Sequence, residues 1–207
     1  MSVKHQLTQR RKWQSAQRTA RAHLPAGLPA VLCLTDPQRI PNPADLIACL
    51  PPGSGLVYRH FGARDRFETA RTLQRLCCLH GLPFVVAADP TLAIALRADG
   101  LHWPEARLRD AMKWRGKFAF QTASAHNWRA IMAAARAGMD AVLVSTVFIS
   151  NSPSARLPMG PLRFRKLCRN APLAVYALGG IRAETAGRIA DCSGLAAIDG
   201  LSALYPA

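Results

Sequence analysis

Two adjacent glycines follow an apolar run near the end of the chain and give the first candidate for chemistry. The run, residues 173–181, reads L-A-V-Y-A-L-G-G-I, and a helical pattern follows at residues 182–190. Glycine lets the backbone approach a ligand closely, and N–H groups at the start of a helix can bind an anion. We therefore interpret Gly179 and Gly180 as a phosphate-binding turn, although paired glycines also form ordinary tight turns.

Histidines follow other apolar runs and could supply acid–base chemistry. His102 and His126 stand at the ends of two such runs, with Glu105 close by, and a histidine–carboxylate pair can exchange protons near neutral pH. The alternative is that both imidazoles bond to the backbone and only support the fold. His60, beside Arg59, could add a cation near an anionic substrate.

These residues can meet only if the apolar runs lie side by side. Runs of strand length alternate with helical patterns at residues 30–34, 55–59, 84–88, 98–102, 118–122, 140–144, 173–178 and 194–198. Such alternation with short connections predicts a parallel sheet of the α/β class, and eight units predict a (β/α)8 TIM barrel. The ligand site of that fold lies at the carboxyl ends of the strands, where all the candidates stand. The longest connection, residues 146–160, is rich in Ser and Pro and is the candidate for a substrate lid.

The formal net charge is +15 at pH 7, which favours acidic ligands. The densest basic block lies within residues 4–21, where Leu7, Trp13, Ala16 and Ala20 can share one helical face. We divide the chain into a basic N-terminal helical extension, residues 1–24, and a TIM barrel domain, residues 25–207. The barrel is expected to fold without the extension, because no strand is predicted before Ala30. The block could bind nucleic acid or anionic lipid, but aromatic residues do not interleave its charges, which favours a solvated helix that packs Trp13 against the barrel.

The cysteines, the apolar runs and the N-terminus indicate where the protein is located and whether it crosses a membrane. The six cysteines show neither C-x-x-C pairing nor the spacing of a zinc site, which is typical of reduced thiols in a cytoplasmic protein. No apolar run reaches the length of about 18 residues that a membrane span needs, and the N-terminus lacks the apolar core of a signal peptide. We therefore expect a cytoplasmic protein with no membrane segment, and a homo-oligomer stays open.

Five short motifs in a fixed order make residues 30–204 similar to the thiamine phosphate synthase and thiazole tautomerase superfamily. They are L-T-D at 34–36, A-D-G-L-H at 98–102, S-A-H at 124–126, A-G-M-D-A-V at 137–142 and A-L-G-G-I at 177–181. The resemblance implies a thiamine-phosphate diphosphorylase-type transferase, which joins a hydroxymethylpyrimidine pyrophosphate to a thiazole phosphate with the help of Mg²⁺.

The resemblance also implies roles for particular residues. Arg59 falls on an arginine that binds pyrophosphate, Ser124 on a serine that contacts substrate, and Ser150 and Ser152 on a loop that binds pyrophosphate. The two glycines fall on the turn that binds the thiazole phosphate, so a phosphate is expected between this turn and Asp199 and Gly200, with Arg182 nearby. The candidate catalytic residues are Arg59, His60 and His126, and the candidate substrate-binding residues are Arg59, Ser124, Ser150, Ser152, Gly179 and Gly180.

The chain departs from the family at the positions that bind the metal. Those two aspartates fall on Ala88 and Arg107, and neither a methyl group nor a guanidinium can ligate a hard divalent cation. We therefore expect no cofactor and no metal site, with Asp89 and Glu105 as the alternative ligands. The Arg107 guanidinium could instead bind pyrophosphate oxygens itself.

Other departures affect the anion site and the chemistry. The family's pyrophosphate-binding lysines fall on Phe61 and Pro153, and the tautomerase's histidine falls on Thr146. Asp199 stands where the family has a serine, and its carboxylate would repel a phosphate unless Arg182 offsets it.

Three functions stay open at this point. The first is a divergent thiamine phosphate synthase that binds phosphorylated pyrimidine or thiazole ligands with reduced or altered activity. The second is an enzyme of the same barrel that acts on another phosphorylated substrate, or a tautomerase that uses different residues. The third is a non-catalytic protein that binds a phosphorylated ligand.

Overall fold

A closed barrel of eight parallel strands occupies the centre of the computed structural model, which describes residues 3–40, 42–153, 155 and 157–204. Each strand pairs with the next in the sequence, and β8 pairs with β1 to close the ring. The strands are β1 (Val31–Leu34), β2 (Ser54–Tyr58), β3 (Phe84–Ala87), β4 (Gly100–Trp103), β5 (Phe120–Ala125), β6 (Ala141–Val144), β7 (Ala174–Ala177) and β8 (Gly194–Ala197). The predicted (β/α)8 TIM barrel is confirmed.

Helices connect the strands on the outside of the barrel. They are α1 (Val3–Arg21), α2 (Pro43–Ile47), α3 (Arg66–Leu79), α4 (Pro90–Ala95), α5 (Leu108–Ala111), α6 (Trp128–Arg136), α7 (Pro161–Asn170) and α8 (Ala183–Ala186). Short 3-10 helices span Glu105–Arg107, Met112–Trp114 and Asp199–Leu204. Residues 105–114, whose sequence pattern predicts one helix, form three short helical segments instead. The segment is divided at Arg107, whose backbone leaves helical geometry where its side chain turns toward β3.

Alternating side chains of the strands pack on two sides, as expected of a sheet covered on both faces. One cluster, which includes Leu32, Leu34, Val57 and Tyr176, fills the barrel, and the other lies between strands and helices. Leu24 and Leu28, which precede β1, belong to the inner cluster. These two residues therefore extend the barrel core beyond the amino-terminal ends of the strands.

The basic helix α1 is packed on the barrel beside α8 and the last 3-10 helix. Only 1% of Trp13 is exposed, and its Nε1–H donates to the carbonyl of Gly200 at 3.2 Å. Arg10 donates to the carbonyl of Leu204 at 2.7 Å. Leu7, in contrast, is half exposed and does not share the buried face that the sequence predicts for it. The division at residues 24 and 25 and any binding of nucleic acid by α1 stay predictions, and residues 1, 2 and 205–207 lie outside the described part.

Among the residues that the structure describes, no helix has both the length and the apolar character needed to cross a bilayer. The longest helix, α1, contains basic side chains along its whole length.

We predict that Trp13→Ala lowers the free energy of unfolding by about 3–5 kcal/mol, because removal of a buried tryptophan leaves a cavity. Urea denaturation followed by circular dichroism measures the change. Leu7→Ala on the same helix is the control and should change the stability little, since Leu7 is half exposed. Equal midpoints for the two variants would contradict the packing of α1 as part of the barrel core.

Candidate ligand-binding site

A cavity of about 380 Å³ opens at the carboxyl ends of the strands, where the fold places its ligand site. We call it the main cavity. Most of the candidate residues line it, namely Arg59, Ser124, His126, Ser150, Ser152, Gly179 and Gly180. Their side chains and backbone come from the ends of β2, β5 and β7 and from the loop after β6, so barrel closure brings together residues that are distant in the chain.

Arg59 contributes a cation from the end of β2. Its backbone N–H donates to Thr35 Oγ1 at 2.9 Å, which fixes the strand end against β1. Its guanidinium makes no ion pair or hydrogen bond with any residue in the described ranges. Burial lowers the pKa of this guanidinium, and Asp36 opposes that shift. Arg59 thus offers a partly desolvated set of donors, which is the arrangement that binds phosphate oxygens well.

His102 connects two hydroxyl groups below the cavity. Its Nδ1 lies 2.8 Å from Thr122 Oγ1 and its Nε2 lies 3.0 Å from Ser124 Oγ. Burial lowers the pKa of His102 to about 3, and nearby Arg59 adds to the shift, so the ring is neutral. A neutral imidazole donates from one nitrogen and accepts at the other, and this orients the Ser124 hydroxyl. The predicted pairing of His102 with Glu105 is absent, because both ring nitrogens face hydroxyls and Glu105 does not line the cavity.

His126 lines the main cavity and bonds to the backbone. Its Nδ1 lies 3.1 Å from both the carbonyl oxygen and the hydroxyl of Ser145. An Nδ1–H that donates to the carbonyl leaves Nε2 as the nitrogen that can accept a proton. The structural interpretation of this histidine is therefore supported, and its use as a base stays a prediction.

His60 is separated from the other candidates. It does not line the main cavity, only 7% of it is exposed, and its ring packs 4.8 Å from the ring of Tyr58. Burial lowers the pKa of His60, which favours the neutral ring, so this side chain is poorly suited to replace a lost cation. Adjacent residues in an extended segment point in opposite directions, and Arg59 occupies the inward direction.

Gly179 and Gly180, the glycine turn, can be occupied only by glycine. Their φ angles are 92° and 66°, in the left-handed region. A Cβ atom on Gly180 would lie 2.3 Å from the carbonyl oxygen of Ile149, and one on Gly179 would lie 2.7 Å from Thr146 Cγ2. The N–H of Gly180 has no hydrogen-bond partner within the described segments, so it is available to an anion in the cavity.

The loop after β6 is held against the glycine turn at its start, and its two ends are hydrogen-bonded to each other. Phe148 N–H donates to the carbonyl of Gly179 at 3.0 Å, and Gly160 N–H donates to the carbonyl of Val147 at 3.0 Å. Between these anchors Ser150 and Ser152 line the cavity. Ser154 and Arg156 lie outside the described residues. The role of this loop as a lid stays a prediction.

Asp199 has a partner that the sequence did not indicate. Its Oδ1 lies 2.6 Å from Arg39 Nη2, and both residues line the main cavity. Arg39, rather than the predicted Arg182, therefore offsets the carboxylate that stands beside the glycine turn. The only signal in the sequence is an arginine soon after the L-T-D motif of β1.

Ala88 and Arg107, the positions at which the resemblance implies metal ligands, are joined by a hydrogen bond. Arg107 Nη1 donates to the carbonyl of Ala88 at 2.6 Å, and Arg107 Nε lies 2.9 Å from Asp110 Oδ2. Its guanidinium also lies 5.4 Å from the centre of the Trp103 ring. Arg107 does not line the main cavity. Its Nε and Nη1 donate within the wall, which does not favour the predicted contact with pyrophosphate.

Asp89, one of the two predicted alternative metal ligands, already has partners. Asp89 accepts from the backbone N–H of Leu92 at 3.0 Å as the N-cap of α4, and its other oxygen lies 3.7 Å from Arg66. In the described part of the chain, no group of three or more His, Cys, Asp or Glu residues is placed to hold a metal ion.

Comparison with known proteins gives consistent results. A family model described as thiamine monophosphate synthase matches residues 52–203. A thiamine-phosphate synthase from Geobacillus kaustophilus (strain HTA426) is 37% identical over 145 residues, which are 68% of this chain and 63% of that protein. A thiamine-phosphate synthase from Geobacillus thermodenitrificans (strain NG80-2) is 35% identical over 144 residues, with 68% and 63% covered. The matches thus span less than two thirds of the length of these relatives.

A solved structure described as thiamine phosphate pyrophosphorylase from Pyrococcus furiosus superposes with a TM-score of 0.71. The superposition covers 86% of this chain and 92% of that chain, at 22% sequence identity. At this identity the likeness supports the fold.

We predict that His102→Gln weakens the dependence of stability on pH. The unfolded chain takes up a proton near pH 6.5, whereas folded His102 does so only at about 3, so stability falls as the pH drops between these values. The substitution should reduce the slope of unfolding free energy against pH by up to about 1.4 kcal/mol per pH unit in this window. Urea denaturation at a series of pH values measures the slope. Thr122→Val, which keeps the imidazole, is the control, and an unchanged slope in His102→Gln would contradict a buried neutral ring.

Proposed function

Because this chain belongs to the thiamine monophosphate synthase family, we propose that its main cavity binds a phosphorylated heterocycle of the kind used in thiamine biosynthesis. The observation that carries the proposal is the convergence of Arg59, Ser124, Ser150, Ser152 and the glycine turn on one cavity. If the protein is active, its reaction is that of a thiamine-phosphate diphosphorylase-type transferase.

We assign a single phosphate group of the ligand to the end of the main cavity beside the glycine turn. Gly180 offers an N–H without a described partner, and the absence of a Cβ leaves the backbone accessible. The neighbouring Asp199 carboxylate is neutralised by Arg39 at 2.6 Å, so it opposes a phosphate less than a free carboxylate would. A charge pair at about 4 Å is worth about 4 kcal/mol at an effective dielectric constant of about 20.

Pyrophosphate, or a diphosphate group of a substrate, is assigned to Arg59 and the serines. The Arg59 guanidinium has no described ion-pair partner and is partly desolvated, which strengthens its bonds to phosphate oxygens. Ser124 is oriented by His102, and its hydroxyl faces the cavity. In the transferase reaction, these groups would orient the diphosphate and stabilise the negative charge that develops as it leaves.

We further propose that this chain binds its ligand without Mg²⁺. A hard divalent cation needs several oxygen ligands, but the positions in question carry the Ala88 methyl group and the Arg107 guanidinium. Arg107 Nη1 also occupies the carbonyl oxygen of Ala88. The residues present therefore do not fit the ion, and no step of the reaction is assigned to it.

The Arg107–Ala88 hydrogen bond also favours a second candidate function. The family's reaction expels pyrophosphate. In the described wall of the main cavity, Arg59 is the one unpaired cation that can compensate the negative charge of pyrophosphate. The synthase rate is then expected to be low. The same cavity is compatible with two other functions. The protein then binds a phosphorylated ligand without catalysis, or it is an enzyme that acts on another phosphorylated substrate.

We expect metal-independent binding that depends on Arg59. In buffer with EDTA, calorimetry should detect thiamine phosphate and pyrophosphate bound to the wild-type protein, and Arg59→Ala should weaken pyrophosphate binding by at least about tenfold, since hydrogen bonds to charged groups contribute about 1.5–3 kcal/mol. Arg75→Ala, on the exposed surface of α3, is the control for the loss of one positive charge. Absence of thiamine phosphate binding by the wild-type protein would overturn the proposed function.

Restoring both carboxylates tests the role of Arg107. In the variant Ala88→Asp with Arg107→Asp, Mg²⁺ should raise the affinity for pyrophosphate, because two carboxylates then stand at the positions that the resemblance assigns to the metal ligands. In the wild-type protein, Mg²⁺ should leave that affinity unchanged. Calorimetric titration with and without Mg²⁺ measures both, and tight Mg²⁺-dependent binding by the wild-type protein would restore the ordinary metal-dependent synthase.

A further inference from the structure

The helix α1 carries cations and no carboxylate. It contains six lysines and arginines and no Asp or Glu. Like charges on one helix repel each other and lower its stability, whereas alternating signs would stabilise it. The stability of the helix therefore does not explain this composition, which is typical of a surface that meets an anionic partner.

Three of these cations form a straight row opposite the buried side of α1. Lys4, Arg11 and Arg18 are seven residues apart, which is close to two helical turns, so their side chains leave the helix in nearly the same direction. The buried residues Trp13 and Ala16 lie about 180° around the helix from them. We call Lys4, Arg11 and Arg18 the basic row, and it is the part of α1 that points away from the barrel.

The basic row has no protein partner in the part of the chain that the structure describes. All three side chains are exposed, and none makes an ion pair or a side-chain hydrogen bond there. Arg10 and Arg21, in contrast, donate to the carbonyls of Leu204 and Leu24, each at 2.7 Å. Two arginines of α1 therefore attach the helix to the barrel, and the basic row does not take part in that attachment.

The carboxylates on the elements beside α1 do not face the basic row. The neighbouring elements are α8, which contains Glu184, and the last 3-10 helix, which contains Asp199. Asp199 is paired with Arg39 at 2.6 Å, and both carboxylates line a cavity together with Gln9. Gln9 is 6% exposed and lies on the buried side of α1. The charge of the basic row is therefore left uncompensated on the solvent side.

We propose that the basic row binds the phosphate backbone of a nucleic-acid duplex without reading its sequence. Duplex DNA carries one negative charge per about 1.7 Å of its axis, so cations about 10.5 Å apart along α1 can each meet a phosphate. Contacts to phosphates position a protein on a duplex but carry no sequence information. The proposal does not depend on the main cavity or on the proposed function.

Two features of α1 favour a duplex over other polyanions. A helix that binds a bilayer inserts its apolar side, but the apolar side of α1 packs on the barrel, where only 1% of Trp13 is exposed. Proteins that bind single strands stack the bases on aromatic rings, and the exposed positions of α1 include no Phe, Tyr or Trp. A ligand that offers only closely spaced phosphates fits this surface.

The dependence of affinity on salt tests the proposal. Fluorescence anisotropy of a labelled DNA duplex of mixed sequence, titrated with the full-length protein, gives the dissociation constant at each NaCl concentration. Three phosphate contacts predict that the affinity falls about fortyfold between about 50 and 200 mM NaCl, because each contact contributes about 0.9 to the logarithmic slope. Lys4→Gln, Arg11→Gln and Arg18→Gln should each reduce this fall to about twelvefold.

The control is Arg75→Gln, which removes an exposed arginine from α3 and should keep the wild-type salt dependence. Circular dichroism should show that all four variants fold, since the replaced side chains are exposed. No binding of the duplex by the wild-type protein at about 50 mM NaCl would overturn the proposal, as would an equal effect of Arg75→Gln and the three row variants. Tighter binding of a single strand of the same length would also overturn it. Binding of phosphatidylglycerol vesicles without binding of the duplex would assign the basic row to anionic lipid instead.

Discussion

The close packing of the glycine turn against the loop after β6 is the constraint on which the candidate site depends. Gly180 approaches the carbonyl of Ile149 so closely that any side chain would collide with it, and Phe148 donates a hydrogen bond back to Gly179. This contact fixes the loop that carries Ser150 and Ser152 at the mouth of the barrel. The Gly180 N–H makes no hydrogen bond to a carbonyl of the described residues.

Around this turn, arginines pair with several of the charged and polar groups of the site. Arg39 neutralises Asp199, Arg107 joins the wall positions of Ala88 and Asp110, and Arg59 stays unpaired among the described residues. An arginine that is already bonded on two sides contributes to the rigidity of the wall, whereas an unpaired and partly buried one gains most from binding an anion. Among the described residues that line the main cavity, Arg59 is therefore the arginine that stays available to a bound anion.

The N-terminal helix links stability to this site. Trp13 is buried and donates to the carbonyl of Gly200 in the segment that begins at Asp199, and Asp199 lines the main cavity. The separation of this helix from the barrel stays a prediction, but its Trp13 bonds to the turn beside Asp199, which lines the main cavity.

The sequence by itself determined the fold, because the periods of apolar residues encode whether a segment is a strand or a helix, and eight alternating units have one common closure. It also determined the family and the glycine turn, since two glycines after a buried strand are a local feature. The tertiary structure alone decided which polar side chains meet. His60 packs behind Arg59 because neighbours in an extended segment point apart. Arg39 reaches Asp199 because β8 pairs with β1, and Arg107 bonds Ala88 because β3 and β4 are adjacent. Such pairings depend on distances across the closed barrel, which the order of residues along the chain does not contain.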